Sequence, residues 1–419
     1  MKRNLQEALT KFHLQLNKKG VIVVFLSCIL ASLTGISIIL CKTAYDRACI
    51  ESADDMLHLA ARSCMTEYHK QLKNDYDIFG FYGSNAQALE SKMKMYIEVS
   101  SGYKNDAVKF KIVPELKKMN FNISMHPLTN ILLFKKNIID SFDLKRFSII
   151  KNFNKEGINI NENFNVSRTL KNSNIIDSLP TCEMNIGSTF LDDLFIGTDI
   201  SVSYPLEAQS INGYILTGFN YHTNIIHDRF YNHEVEYILT GEYDSDECYK
   251  KVRKRLKVMR MGLNLLHLET DPQKQAKLQE AAMSFAAVPE AVPAVKAALT
   301  TMWAFRESEN DMLLLEEGLI VPLNKNISSW ATDLSDIISG ILNNKTVKPP
   351  VSSGLNYTGY INILLHALKE ETKLVRLMDI IQINIKTGSD KNFLLKDYYG
   401  GMEFYAEIND KTLHFIENY

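Results

Sequence analysis

Residues 20–41 read GVIVVFLSCILASLTGISIILC, and the reading of that run decides what the rest of the chain is. It holds no ionisable side chain except its thiols, and it is long enough for a helix to cross a bilayer's hydrocarbon core, which takes about 20 residues. The tail before it carries Lys2, Arg3, Lys11, Lys18 and Lys19 against Glu7. The other flank mixes Lys42 and Arg47 with Asp46, Glu51, Asp54 and Asp55. A basic flank marks the cytoplasmic side, so the expectation is a single-pass protein of the cell membrane with its N-terminus inside and its C-terminus extracytoplasmic. A cleaved signal peptide would have a shorter apolar core followed closely by a small-x-small cleavage site. Here the flank continues as helix, with Ala44, Ala48, Ala53, Leu57, Ala60, Ala61 and Cys64 at three- and four-residue spacing, and neither Gly nor Pro occurs from Lys42 until Gly80.

Ser27, Ala31 and Gly35 recur every fourth residue of the run and place small side chains on one face, a candidate surface for packing against another membrane helix. The cysteines are Cys28 and Cys41 in the run and Cys49, Cys64, Cys182 and Cys248 beyond it, with no spacing typical of zinc. Cys49 and Cys64 would lie about 22 Å apart on a continuous helix, too far to bridge each other. Unpaired thiols are expected, with pairing to Cys182 or Cys248 the alternative.

The chain has 419 residues, 46% of them hydrophobic, enough to bury substantial cores. Its 47 Lys and Arg against 49 Asp and Glu leave a net charge of -2, which gives no global attraction to nucleic acid. The expected organisation is a basic tail (1–19), the membrane helix (20–41), and a helical stalk with a small α+β unit (42–150). A linker or long loop (151–183) and a mainly helical domain ending in a β-hairpin (184–419) follow. The fold class is therefore α+β, predominantly α, with the membrane helix extended into a long exposed helix and a small antiparallel sheet.

The periodicity predicts that the first helix runs to about residue 74 and breaks in NDYDIFGFYGSN. A helix over 86–99, strands within 108–125 and a helix over 130–146 follow. Further helices are expected over 220–240, 246–267, 272–287, 292–317, 328–343, 357–367 and 373–384. The helix from 246 should bury Val252, Leu256, Met259, Leu263 and Leu266 and expose a basic face to solvent. The Ala-rich stretch 281–305 is apolar enough to suggest a second span, but Pro289, Glu290, Pro293 and Lys296 interrupt it, and two short core helices meeting at the prolines are the better reading. The last residues, 401–419, alternate as a hairpin that needs a sheet to join, and the strands of the first unit are the candidates.

No phosphate loop, nucleophile elbow, HExxH or calcium loop is present, so no catalytic, cofactor-binding or metal-ligating residue is assigned. The one polar concentration is Tyr221, His222, His227, Asp228, His233, Glu234 and Glu236. A regular helix would scatter its histidines around the circumference, so surface-exposed, hydrogen-bonded roles are expected. Arg376 and Asp379, three apart in an apolar run, read as a structural helical ion pair.

Several segments together resemble an uncharacterised membrane-protein family encoded beside tight-adherence (Tad, Flp-type) pilus genes in clostridial-type Gram-positive bacteria. They are KKGVIVVFLSCIL from Lys18, ESADDMLHLAARSCMTEYHKQLKNDYDIFGFYG from Glu51, YILTGFNYHT from Tyr214, HEVEYILTG from His233, VMRMGLNLLHLETDPQKQ from Val258 and ETKLVRLMDIIQINIK from Glu371. The first half is also similar to TadE/TadG-type pilus-assembly proteins. The resemblance implies a non-enzymatic, anchored minor component or assembly factor, whose partners are the membrane and other pilus or secretion-machinery subunits. Prepilin-type substrates carry Glu five residues after the cleavage-site Gly; here Phe25 holds that position after Gly20, which sets this chain apart from a processed major pilin. The alternatives are an anchored ligand-binding or sensing module, and a cell-wall hydrolase, which would need a cleft of carboxylates or a metal.

Overall fold

The computed structural model describes residues 2–83, 86–102, 121–152, 168–184, 205–226, 229–339, 346–408 and 411–419. Its first helix, α1 (Lys2–Met65), is unbroken through the apolar run and beyond it. That run has mean hydropathy 2.5 and none of it is buried, so α1 is long and apolar enough to cross a membrane. The Ala-rich segment is divided at its prolines, but the helices that meet there, Pro272–Phe285 and Val292–Glu316, are not the short core helices expected: the second has 25 residues, and Met283, Phe285, Met302 and Phe305 are about half exposed because only one side of each helix packs on its neighbours.

The chain forms two compact units, neither contiguous in sequence: Met1–Glu67 with Gly83–Met125 and Gly401–Tyr419, and Tyr68–Tyr82 with His126–Gly400. The first is built on the C-terminal half of α1, where Cys49, Ala53, Leu57, Ala60, Ala61 and Cys64 are buried at the spacing the sequence indicates. Helix α3 (Ala86–Gly102) packs on this face through Leu89, Met93 and Ile97. The C-terminal hairpin joins them. Strands β3 (Tyr398–Ile408) and β4 (Lys411–Asn418) pair in antiparallel register, Phe404 opposite Phe415, with the two rings stacked 4.8 Å apart. Glu417 on β4 accepts from His58 and Arg62 of α1, and the Tyr419 hydroxyl donates to the Met65 carbonyl at the end of α1. The sheet also contains β1 (Phe81–Tyr82) and β2 (Phe121–Pro127), so the fold is α+β, mostly α, with a small antiparallel sheet. Expected strand residues 108–120, the hairpin turn at 409–410 and most of the expected linker lie outside the described residues.

The second unit is helical: α2 (Lys70–Tyr76), α4 (Ile131–Asn152), α5 (Ser173–Ile176), α6 (Pro180–Glu183), α7 (Pro205–Gly218), α8 (Glu234–Thr240), α9 (Ser245–Thr270), α10 (Pro272–Phe285), α11 (Val292–Glu316), α12 (Leu334–Ile338), α13 (Tyr357–Ala367) and α14 (Glu370–Gly388). Its centre is α14, in which every residue from Thr372 to Ile385 is buried.

The departures from the periodicity have local causes. Helix α1 stops at Met65, not near 74, because the chain turns to pair with the following segment: the His69 amide donates to Gly80 O at 2.9 Å and Tyr68 bridges to Phe81. Among the described residues of the expected helix 220–240, Glu234–Thr240 alone is helical. The Ile226 amide donates to Asn220 Oδ1 across six residues, closing a loop where a helix would have bonded that amide to residue 222. Of the described part of 328–343, residues 328–339, Leu334–Ile338 is helical; the chain before it turns, with Asn326 accepting from the Ser329 amide and the Ser328 hydroxyl. On α9 the buried stripe is Cys248, Val252, Leu256, Arg260, Asn264 and Leu268, whereas Leu266 is 61% exposed. Two polar residues replace the expected leucines because α11 supplies their partner: Asp311 accepts from Arg260 at 3.0 Å and from Asn264 at 2.9 Å. The basic face of α9 carries several ion pairs, with Lys250 on Glu247, Lys251 on Glu242, Arg253 on Glu309 and Glu316, and Lys257 on Glu309.

Candidate functional site

Seven residues of α8 are all buried, which is unusual for a helix that begins Glu-Val-Glu. Its termini explain how. Acidic side chains favour a helix N-terminus and cations its C-terminus, and here both ends are served. At the C-terminus Arg376 Nη1 donates to the carbonyls of Ile238 and Leu239 at 3.0 and 3.2 Å, and Arg255 Nη1 donates to Leu239 O at 2.9 Å. Gly241 then closes the helix at φ +72, where a Cβ would stand 3.0 Å from Arg376 Nε, so both the left-handed backbone and the close cation require glycine.

At the N-terminus, Glu234 accepts from the Asn220 amide at 2.7 Å, Asn384 Nδ2 at 2.5 Å and Arg229 at 3.5 Å. Burial pushes its carboxyl above the usual range. Glu236 accepts from the His222 amide at 3.0 Å and the Tyr357 hydroxyl at 2.7 Å. His222 lies stacked on Tyr249 with centroids 3.9 Å apart, and its Nδ1 is 3.4 Å from His233 Nε2. His233 Nδ1 faces the Ser245 carbonyl at 3.0 Å, so it carries the proton and its Nε2 accepts from His222. Burial, then the neighbouring His233 and Arg253, lowers His222 to about 4.

The polar concentration seen in the sequence is therefore a buried network rather than a set of exposed side chains. His227 and Asp228 lie outside the described residues. The expectation of surface exposure failed because α8 is short and central, and helical periodicity over 220–240 did not apply. Among the described residues His, Cys, Asp and Glu form no group able to hold a metal ion.

Helix α14 carries the complementary polar groups. Lys373, Arg376, Asp379 and Gln382 are three residues apart, so each is rotated about 60° from the last and they wind around the helix. Lys373 donates to Asn212 Oδ1 on α7 at 2.7 Å, and burial lowers its ammonium to about 8. Asp379 accepts from the Thr181 amide and hydroxyl at 3.0 and 2.7 Å and from the Tyr237 hydroxyl at 2.9 Å. Burial raises it to about 7 against the opposing pull of those bonds and of Arg376. Gln382 donates to Ser178 O and accepts from the Leu395 amide. Arg376 thus acts on Asp379 as a nearby charge while donating to the α8 carbonyls, a different job from the simple helical pair the spacing suggests.

Beside this network lies a cleft of about 450 Å³, lined by Gln71, Asp75, Tyr76, Arg168, Arg229, Phe230, Asn384, Thr387 and Gly388. Arg229 is its built element: its guanidinium lies over the Tyr76 ring at 4.8 Å and donates to Gly218 O at 2.8 Å, with Glu234 behind it. Sequence reasoning missed Arg229, Asn384 and Arg168, since no spacing links residues so far apart. Ser27, Ala31 and Gly35 all lie in the apolar run; a Cβ added at Gly35 would meet nothing within 4 Å beyond its own helix, and Ser27 Oγ donates back to Val24 O. All six cysteines are free, and Cys49, Cys64 and Cys248 are buried.

Residues 166–410 match the model of a family of unknown function, DUF5702, a span that holds α5–α14 and all of β3. No curated protein and no solved structure matches the chain.

Proposed function

Since the chain belongs to the DUF5702 family of unknown function, we propose its role from its own physical parts: a single-pass membrane protein that serves a Tad/Flp-type surface pilus, or related secretion machinery, as a minor component or assembly factor. It acts through protein contacts, with the basic tail in the cytoplasm and the folded units outside. The observation that carries this reading is the continuity of α1, which passes from the exposed apolar run into the buried core of the first unit without a break. Such a helix transmits position: a partner that binds the run fixes the orientation of what stands on it. The run's Ser27, Ala31 and Gly35 face is the proposed docking surface for a partner's membrane helix.

The test is crosslinking in intact cells, extraction in mild detergent and identification of what co-purifies. Pilin, assembly ATPase or platform proteins should be recovered, and Ala31→Leu with Gly35→Leu should reduce that recovery. Isolation with a sensor kinase and no pilus protein would contradict the reading.

The Arg229 cleft favours a second reading, an anchored ligand-binding or sensing module. It is concave and polar, and its arginine is held in place by an aromatic ring and a buried carboxylate. Calorimetry with small carboxylates and phosphates, and loss of any binding in Arg229→Gln, would distinguish it.

A further inference from the structure

The Ala-rich segment keeps apart from the core on one side. Met283 and Phe285 at the end of α10 are 58% and 56% exposed, Val288 in the turn is 52% exposed, and Met302 and Phe305 on α11 are 52% and 48% exposed. Lys257 covers one face of Phe305 at 3.7 Å and leaves the rest open. At about 100° per residue, Ala294, Ala298, Thr301, Met302 and Phe305 of α11 fall within about 60° of Ala298, forming one uncharged face along about three turns, with Ala291 in the 3-10 turn just before the helix. Ala294, Ala298 and Thr301 are exposed with it. Half-exposure of five large side chains, at roughly 200 Å² each, leaves about 500 Å² of apolar surface, near the upper limit for a monomer. Of this surface, Met302 and Phe305 lie on the α11 face with the exposed Ala294, Ala298 and Thr301.

We propose that this face is a self-association surface, on which two copies of this chain pair α11 with α11 antiparallel about a two-fold axis at Ala298. The sequence is complementary to itself under that operation. Position pairs about 298 set Ala294 against Met302, Ala291 against Phe305 and Glu290 against Arg306, so small faces large and acid faces base, each twice. A lipid surface would favour a rim wholly of Lys and Arg, and here the rim is mixed, with Lys257 over Phe305 and Arg306 at one edge but Glu290 at the other, while Lys296 lies on the opposite side of the helix. An unrelated partner would give this chain no reason to be palindromic.

The experiment uses the full chain in nonionic detergent and in membranes, with Cys28, Cys41 and Cys182 replaced by serine. Ala298→Cys should form a disulfide-linked dimer on mild oxidation. Ala294→Cys alone should not, but should crosslink to Met302→Cys when the two are mixed. Glu290→Arg should weaken the dimer roughly tenfold through its two like-charge pairs, and Glu290→Arg with Arg306→Glu should restore it. Absence of the Ala298→Cys dimer in both settings overturns the proposal, as do equal dimer constants for the single and double charge variants. So does binding to phosphatidylglycerol vesicles that depends on Phe305 while the chain stays monomeric. None of these outcomes depends on a pilus partner being found.

Discussion

Unfolding of the full chain by urea in nonionic detergent, followed through Trp303 and Trp330 at about pH 4.5 and pH 7.5, should separate wild type from Asp379→Asn. Asp379 is buried, and its folded pKa is raised to about 7 from an ordinary carboxyl value. A carboxyl that prefers its proton in the fold adds stability at low pH, and that stability fades as pH rises through the folded value. With an unfolded pKa near 3.9, the linkage integral between these two pH values is about 3 kcal/mol. Asparagine keeps the size and the acceptor for the Thr181 amide, and the hydroxyls of Thr181 and Tyr237 can rotate to accept from its new N–H. The variant should therefore exceed wild type by about 1 kcal/mol at the lower pH and by about 4 kcal/mol at the higher, a gap that widens by about 3 kcal/mol between them. Other titrating groups cancel in the difference between the two proteins. Equal pH slopes in wild type and variant would refute the claim that Asp379 is held protonated by burial.

The remaining predictions are briefer. Lys325→Met should destabilise the second unit by about 4 kcal/mol, seen as a melting temperature lower by roughly 10 °C, because it leaves Glu307 and Asp311 buried with too little positive charge. His222, depressed to about 4, should titrate far below an ordinary histidine by NMR. The stability it contributes is full above pH 6.5 and is lost as pH falls toward 4, so His222→Phe should flatten that acid limb. Alkylation at about pH 8 should label exposed Cys182 and spare Cys49, Cys64 and Cys248 until denaturant is added, since burial pushes the Cys64 and Cys248 thiols up to about 11 and 12.

Where a single physical pattern governs a segment, the sequence was sufficient. The apolar run and the alanine periodicity beyond it gave α1, the prolines at 289 and 293 divided the Ala-rich stretch, and strand alternation gave the hairpin, whose expected union with a sheet in the first unit is seen. It failed where distant partners override the pattern. Arg260 and Asn264 occupy core positions only because Asp311 on another helix receives them. Likewise Glu234 and Glu236 tolerate burial because Asn220, Asn384 and Tyr357 converge on them from three other segments. The Arg229 cleft is assembled from residues separated by up to about three hundred positions, a juxtaposition that no local spacing encodes. The interleaving of the two units in sequence has the same origin.

The account rests on residues 20–41 spanning the membrane with the cationic tail inside, and substituted-cysteine labelling of intact, wall-stripped cells tests this most directly. A cysteine placed at Tyr419 should react with a membrane-impermeant maleimide before lysis, and one placed at Gln6 should react only after it. Labelling of Gln6→Cys in intact cells while Tyr419→Cys stays protected would reverse the orientation, and labelling of both would put the two ends on one side of the bilayer, which a single span cannot do.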